Sequence, residues 1–133
     1  MTVYLDANIV IYLVEADPIW GARALMRVAT LQAAGETIAV SDIHRLECLV
    51  GPFILGDVAA QAAYAAFFAD PAIQVLPVAG GDFERAARIR ATHNFKPLDA
   101  LHLAVAAEQG CGLFLTNDAK LSRLPDVPVE LLT

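Results

Sequence analysis

Four acidic residues have the clearest potential for chemistry in this sequence. Asp6, Glu47, Asp99 and Asp118 lie far apart in the chain, and each lies where we predict a strand to end or a helix to begin. Strand ends at one edge of an open α/β sheet share a crevice in which ligands bind. Carboxylates gathered there repel one another unless some are protonated or a cation lies among them, and a hard divalent ion held by oxygen ligands is the usual solution. The pattern therefore favours a metal-dependent enzyme.

Two of the acids directly follow apolar runs that are predicted strands. Asp6 closes Val3–Leu5, and Asp118 closes Leu113–Asn117. A carboxylate at position 6 would cost stability if it were merely half-buried. Asn8 alone could cap the following helix, so capping does not require Asp6. Asp118 has a simple alternative role as a turn or N-cap residue, which Asp often fills. Its pairing with Asp6 across the sheet edge favours a role as a ligand.

The other two acids lie on predicted helices. Asp99 is in the first turn of an apolar helix, where a capping or dipole-favoured Asp is the simple alternative. Glu47 has apolar neighbours, among which an unpaired carboxylate is costly. Either an arginine such as Arg45 or a metal must therefore compensate its charge. His102 shares a helix face with Asp99 at i+3 spacing, and we interpret it as a packed or supporting residue rather than a catalytic base.

Further polar residues lie next to these acids in the sequence. Asn8 either caps its helix or hydrogen-bonds Asp6, and both roles remain open. The Thr116 hydroxyl is placed to orient a ligand or a bound water. His44 and His93 are predicted to lie at the surface.

Alternating strand and helix patterns position these side chains. The predicted strands are Val3–Leu5, Thr37–Val40, Ile73–Val78 and Gly112–Thr116, with a short fifth at Val129–Leu132. The predicted helices run from near Asn8 to before Pro18, over Trp20–Ala34, from Ser41 or Asp42 to a break at Gly51-Pro52, over Asp57–Ala69, from Asp82 after a Gly80-Gly81 loop to about Thr92, and over Leu98–Gln109. Such alternation predicts an α/β fold, with a central, mostly parallel sheet of four to five short strands covered by helices on both faces. Right-handed crossovers then place successive strand C-termini at one edge.

Composition sets limits on the class of protein. A chain of 133 residues predicts one domain, and an apolar content of 57% suggests that another chain covers part of its surface. No uninterrupted apolar stretch approaches the roughly 20 residues of a membrane span, and the start has no signal-peptide pattern. Cys48 and Cys111 are predicted to be buried reduced thiols. We therefore expect a cytoplasmic protein with no membrane association.

The net charge does not decide whether the chain binds nucleic acid. It is −6, which by itself argues against such a partner. Removal of the four candidate acids would change it from −6 to −2, so the acidity is largely that of the candidate site. Bound metal would cancel much of it.

The order and spacing of these motifs resemble those of a known family. Asp6-Ala7-Asn8, Ser41 with Arg45-Leu46-Glu47, Leu98-Asp99-Ala100-Leu101-His102 and Thr116-Asn117-Asp118 are similar to the ordered acidic motifs of PIN domains. More narrowly, they resemble those of the VapC-type ribonuclease toxins of bacterial toxin–antitoxin pairs. Each motif is weak alone, but the four together are specific and span essentially the whole chain. The segment after Asp118 lacks a further acid that some relatives carry, so the composition of a second metal site stays open.

The resemblance implies a single PIN-like domain over residues 1–133 and an endoribonuclease activity dependent on Mg²⁺ or Mn²⁺. The substrate would be single-stranded RNA regions, in tRNA, rRNA or mRNA, cleaved by metal-activated water. The implied catalytic residues are Asp6, Glu47, Asp99 and Asp118, with Asp6, Asp99 and Asp118 as metal ligands. The implied supporting residues are Asn8, Ser41, Arg45, His102, Thr116 and Asn117.

The resemblance also implies partners: a homodimer and a cognate antitoxin that masks the site. We expect an antitoxin segment to pack in a groove made by the early helices. Trp20–Leu31 and Phe53–Phe68 are the expected walls, because they carry more large apolar residues than one small core needs.

Other functions fit the sequence less well. A phosphate-accepting receiver domain needs adjacent acids after its first strand and a Lys near its last strand, and a haloacid-dehalogenase-type phosphatase needs Asp in place of Asn8. A non-enzymatic PIN-fold binding module is a further alternative, against which the retention of all four acids argues. A DNA-directed nuclease of the same fold is another, because RNA is specified by the resemblance and not by the motifs.

Overall fold

A five-stranded parallel sheet forms the centre of the computed structural model, which describes residues 1–133. The order of the strands across the sheet is β3-β2-β1-β4-β5. The chain moves outward from β1 in one direction through β2 and β3, and β4 and β5 then extend the sheet on the other side of β1. The switch point between β1 and β4 is where open α/β sheets bind ligands. The strands are β1 Thr2–Leu5, β2 Thr37–Ser41, β3 Ile73–Leu76, β4 Leu113–Thr116 and β5 Val129–Leu131.

Six α-helices and one 3₁₀ helix cover the sheet, which confirms the predicted α/β class. The α-helices are α1 Ala7–Val14, α2 Gly21–Ala33, α3 Ile43–Leu55, α4 Val58–Ala69, α5 Gly80–His93 and α6 Pro97–Glu108, and the 3₁₀ helix is Ala119–Arg123. None of the helices combines the length and apolar character that crossing a membrane requires.

Two hydrophobic cores lie on opposite faces of the sheet. Strand residues alternate between them, since successive side chains of a strand point to opposite faces. Val3 and Leu5 pack with α1, α2 and α4, whereas Tyr4 and Phe114 pack with α5 and α6. The α3 helix contributes to both cores. This arrangement brings the start of α6 and the C-terminal ends of β1 and β4 to the same edge.

The predicted break at Gly51-Pro52 is wrong, because α3 continues through both residues to Leu55. Proline costs a helix one backbone hydrogen bond, but Pro52 lies in the last turns and is buried, so packing outweighs that loss. The Pro52 carbonyl accepts hydrogen bonds from the Asp57 backbone N–H and the Gln61 side chain. The helix ends instead at Gly56, whose φ of 62° suits a left-handed cap.

The predicted loop at Gly80-Gly81 is also wrong, because these two glycines form the first turn of α5. The sequence predicts that Asp82 caps this helix from its start. Instead, Asp82 lies inside the first turn, and its carboxylate accepts the Ala79 backbone N–H at 2.8 Å. The N-terminal cap of α5 is therefore formed by a residue within its first turn. This cap stabilises the helical conformation of Gly80 and Gly81.

Large apolar side chains remain exposed where α3 meets α4. Phe53, Ile54, Leu55 and Val58 are 62%, 78%, 80% and 73% exposed, and we call these four residues the α3–α4 apolar surface. A second exposed group, on and just before α2, consists of Ile19, Leu25 and Met26. Both groups fall on or beside the segments predicted to contact a partner.

Candidate functional site

Asp6 is fixed at the switch point between β1 and β4. It is 5% exposed, and its backbone N–H donates to the Leu115 carbonyl at 2.8 Å. One carboxylate oxygen, Oδ1, accepts the Ala7 N–H at 2.8 Å and so caps α1, while Oδ2 accepts the Thr116 hydroxyl at 2.6 Å. The carboxylate is therefore held rigidly between two neighbouring strand ends.

The candidate acids are electrostatically coupled. Burial raises the pKa of Asp6, and the negative charge of Asp99 raises it further, although His102 and the Thr116 hydrogen bond act in the opposite direction. Burial also raises the pKa of Asp99, with Glu47 and Asp118 adding to the effect. Asp6, Asp99 and Asp118 form no ion pair with a basic side chain. Their mutual repulsion is offset only in part, by Lys96 and Lys120, which lower the pKa of Asp99.

A buried chain of hydrogen bonds leads to Glu47. The Tyr4 hydroxyl lies 2.8 Å from Ser41 Oγ and 2.7 Å from His102 Nδ1, and His102 Nε2 contacts Glu47 Oε1. Tyr4, Ser41 and His102 are all fully buried. We call this arrangement the Tyr4–His102 chain.

The direction of the Tyr4–His102 chain follows from the protonation of His102. Burial lowers the pKa of His102 to about 4, so near neutral pH its ring carries one N–H. Ionised Glu47 can only accept, which assigns that proton to Nε2. Nδ1 then accepts from Tyr4, and the Tyr4 oxygen accepts from the Ser41 hydroxyl. Every member has a partner, and Glu47 is held through one oxygen, Oε1.

The alternative in which Arg45 compensates the charge of Glu47 is wrong, because Arg45 does not contact Glu47. Arg45 Nε donates to Asp42 at 2.8 Å, and its guanidinium lies 4.7 Å from the ring centroid of Phe68. Residues 45 and 47 point to different faces of α3, so a contact between them is geometrically unfavourable. The contact to Glu47 comes from His102.

The surface position predicted for His44 is wrong, because His44 is fully buried. Its Nε2 lies 2.6 Å from the Leu5 carbonyl, and its Nδ1 contacts the backbone of Ser41. Burial lowers the pKa of His44 to about 3, so it links the ends of β1 and β2 as a neutral ring. His93 is partly buried, with its ring stacked on Phe95 at 5.6 Å.

Asn8 has neither of the roles left open by the sequence. Asp6 caps α1 in its place, and Asn8 Oδ1 is buried without a hydrogen-bond partner. Asn117 lies beside the site and donates from Nδ2 to the Tyr12 hydroxyl at 3.0 Å.

Asp118 has a structural contact as well as a place in the site. Its Oδ1 caps the 3₁₀ helix by accepting the Lys120 N–H at 3.0 Å, and its own N–H donates to Thr116 Oγ1 at 3.0 Å. Asp118 and Asp99 line a common cavity of about 160 Å³. The remaining lining residues are Asn94, Phe95, Lys96, Lys120, Leu121 and Arg123.

The donor set fits a hard divalent ion with few direct protein ligands. Carboxylate oxygens are the ligands that Mg²⁺ and Mn²⁺ prefer, and Asp6, Asp99 and Asp118 form no ion pair with a protein cation. No group of three or more His, Cys, Asp or Glu side chains lies close enough to enclose a metal ion. Mg²⁺ retains several of its waters and commonly uses one or two carboxylates. A divalent ion bound here would therefore contact some of the acids through water.

Comparison with known proteins places this geometry in context. The family model of the PIN domain matches residues 3–127. The crystal structure of VapBC2 from Rickettsia felis, bound to a DNA fragment from its promoter, matches with a TM-score of 0.83 and 19% identity, over 100% of both chains. DNA-bound VapBC from Salmonella typhimurium matches with a TM-score of 0.79 and 19% identity, over 100% of this chain and 99% of the other.

A third similar solved structure is of a toxin with a known RNA target. VapC20 from Mycobacterium tuberculosis, described as a sarcin–ricin loop cleaving toxin, has a TM-score of 0.72 and 21% identity, over 91% of this chain and 93% of the other. At such identities these likenesses show the fold. No curated protein sequence matches the chain significantly.

Proposed function

This chain belongs to the PIN domain family, and on that premise we propose that it is a metal-dependent endoribonuclease toxin that cleaves single-stranded regions of RNA. The observation that carries the proposal is the coupled set of carboxylates at the β1–β4 switch point, which has no ion-paired basic residue at Asp6, Asp99 or Asp118. A buried, ionised Asp6 lowers the stability of the folded protein unless a cation offsets its charge. A catalytic metal site explains that cost.

Asp6, Asp99 and Asp118 would hold Mg²⁺ or Mn²⁺, directly or through water. A bound ion of this kind activates a water molecule and neutralises charge that develops on the phosphate. Thr116 holds Asp6 in place through its hydroxyl. Glu47 keeps Oε2 available while Oε1 is held by His102, and burial raises the pKa of Glu47. A raised pKa suits Oε2 to accept a proton from an attacking water.

The partners we propose are a cognate antitoxin and a second copy of this chain, in the cytoplasm. Two of the similar solved structures are VapBC complexes with bound DNA, and a third is described as a toxin–antitoxin complex from Klebsiella pneumoniae. The α3–α4 apolar surface supports the proposal, because patches of exposed large apolar residues commonly mark interfaces. RNA as substrate is supported by the likeness to VapC20, the sarcin–ricin loop cleaving toxin.

The proposed activity is tested by incubating the purified protein with total cellular RNA and, in parallel, with single-stranded DNA. We expect RNA cleavage with Mg²⁺ or Mn²⁺, loss of cleavage with EDTA, and recovery when metal is restored. Mapping of the cut ends then identifies the target. Cleavage of DNA alone would assign a DNA-directed nuclease, whereas no cleavage of either by partner-free protein would favour a binding module.

Tyr4→Phe is expected to lower RNA cleavage by about 10-fold or more, because loss of an outer hydrogen-bond partner at a metal site typically costs about 10–100-fold. Without the hydroxyl, His102 Nδ1 loses its donor and the orientation of Glu47 relaxes. Stability should fall by about 1–3 kcal/mol, the usual cost of a buried polar group left unpaired. Initial cleavage rates and urea unfolding measure the two effects.

The matched control is Tyr64→Phe. Tyr64 is also fully buried, and its hydroxyl donates to Glu15, which is not one of the candidate site acids. This variant should lose stability and keep its cleavage rate. If both variants lose activity only in proportion to their stability, then the Tyr4–His102 chain has no positioning role.

A further inference from the structure

Three of the chain's basic residues line the cavity that also contains Asp99 and Asp118. There are 9 Lys and Arg residues against 15 Asp and Glu residues, so cations are scarce. None of the three basic residues that line this cavity forms an ion pair with an acid. These three are Lys96, Lys120 and Arg123, and we call them the basic wall. The arginines that do form ion pairs are Arg27, Arg45 and Arg85.

Arg123 is held in place without using all of its donors. Its Nε donates to the Lys120 carbonyl at 3.1 Å, and one terminal nitrogen reaches the His93 carbonyl at 3.5 Å. Its guanidinium lies 5.1 Å from the ring centroid of Phe95, which is itself stacked on His93. A guanidinium has five N–H donors, so several remain free. Arg123 is therefore ordered before any ligand arrives, which lowers the entropic cost of binding.

The two lysines are electrostatically part of the site. Lys96 lies directly before α6, and Lys120 lies in the 3₁₀ helix that Asp118 caps. Both lower the pKa of Asp99, against the larger effect of burial that raises it. The same cavity is therefore lined by two carboxylates and three cations.

A ligand of this cavity must bind the three cations and also lie next to the divalent ion proposed at the carboxylates, so it must be an anion that binds metal ions. A phosphodiester meets both requirements, because its oxygens bind metal ions and also accept hydrogen bonds from cations. Arginine binds phosphate through two parallel N–H bonds, and lysine acts as a point charge. The cations also disfavour a divalent ion beside them, so the metal is expected towards Asp6 and the phosphate towards Arg123.

We propose that the basic wall, centred on Arg123, binds a backbone phosphate of the substrate strand next to the phosphate that is cleaved. The proposal rests on the proposed nuclease function and deepens it, since it assigns one contact of the substrate outside the carboxylates. Such a contact fixes the direction in which the strand crosses the site. Phosphate contacts of this kind position a nucleic acid and carry no sequence information.

The test uses Arg123→Gln and a matched control, Arg23→Gln. Arg23 lies on α2, which packs on the opposite face of the sheet, and its guanidinium also lies over an aromatic ring, at 5.0 Å from the centroid of Trp20. Each variant removes one positive charge and one cation–π contact. Cleavage kinetics with Mg²⁺ give KM and kcat, and fluorescence anisotropy of a labelled single-stranded RNA in EDTA gives binding against salt concentration.

For Arg123→Gln we expect KM to rise about 10-fold, because the variant loses charge-assisted hydrogen bonds to the phosphate; a 10-fold change corresponds to about 1.4 kcal/mol. The salt dependence of log K should become shallower by about 0.7, the value for one phosphate contact on a single strand. Arg23→Gln should match wild type in both. Arg123→Lys should recover the salt slope but only part of the KM, because it restores the charge without the bidentate fork.

The outcomes separate this proposal from the proposed function. If wild type cleaves RNA and Arg123→Gln keeps the wild-type KM and salt slope, then the basic wall proposal is overturned and the nuclease stands. If wild type cleaves no RNA, the nuclease function fails, and unequal RNA binding by Arg123→Gln and Arg23→Gln would still support a phosphate site. An unchanged KM with weakened binding of an acidic partner protein would overturn the proposal in favour of a partner contact.

Discussion

Replacement of Asp6 by asparagine is expected to lower RNA cleavage by at least about 100-fold. Loss of a residue that merely supports a metal ligand costs about 10–100-fold, so loss of the charge of a ligand should reach or exceed that range. The asparagine oxygen can still accept the Ala7 N–H, so α1 keeps its cap. Initial rates over a range of Mg²⁺ concentrations measure the effect.

The same substitution is expected to leave the metal-free protein as stable as wild type or more stable. The pKa of Asp6 is raised above its ordinary value of 3.8, mainly by burial and further by Asp99. Between the ordinary value and the raised folded value, the folded state binds more protons than the unfolded state, so the contribution of Asp6 to stability falls as pH rises through that window. Asparagine does not ionise, so the variant does not lose stability in this way as pH rises. Melting in EDTA should therefore favour the variant near pH 7, by a margin that shrinks as pH falls towards about 4.

Metal should reverse this order of stability. A ligand that binds only the folded state raises stability by an amount that depends on its concentration relative to its Kd. The Mg²⁺-induced rise in Tm should accordingly be smaller for Asp6→Asn than for wild type. Asp57→Asn is the matched control, because Asp57 is an exposed N-cap that accepts the Ala60 N–H at 3.0 Å. If Asp6→Asn behaves as this control does, with unchanged cleavage and metal response, Asp6 is only a helix cap.

The sheet and the position of Asp6 could be predicted because local signals and topology agree. Short apolar runs ended by polar residues indicate strands, and parallel connections then bring their C-terminal ends to one edge. The end of α3 was not predictable in the same way. Gly51-Pro52 is locally a helix breaker, and only the burial of Pro52 and the cap at Gly56 make the longer helix favourable. Tertiary packing decided that boundary.

The interior of the site was harder to predict than its acids. The local sequence identifies Tyr4 only as a strand residue. A buried tyrosine generally needs a partner for its hydroxyl, but the partners of Tyr4 are 37 and 98 residues away in the chain. For His44 a local signal existed. His44 lies three residues before Glu47 on α3, so the two share a helix face, whereas Arg45 does not. The basic wall is assembled from separate segments and has no local signature.

The second large effect is expected at the α3–α4 apolar surface. Phe53→Ser with Leu55→Ser should abolish stable assembly with the proposed partner while leaving the fold intact. These side chains are 62% and 80% exposed, so their removal costs the isolated chain little packing. If these residues are hot spots of an interface, each contributes at least about 2 kcal/mol, which is about 30-fold in affinity. Light scattering and co-purification with the antitoxin measure assembly, and thermal melting measures the fold.

Phe83→Ser distinguishes a specific interface from a general loss of apolar surface. Phe83 is 57% exposed on α5, which packs on the other face of the sheet. This control should assemble as wild type does, because the partner is expected on the α3–α4 side. Loss of assembly in Phe83→Ser alone would move the interface to the α5 side. If the double variant and wild type are both monomers and neither binds an antitoxin, then the exposed residues serve no partner, and the apolar excess of the sequence must have another origin.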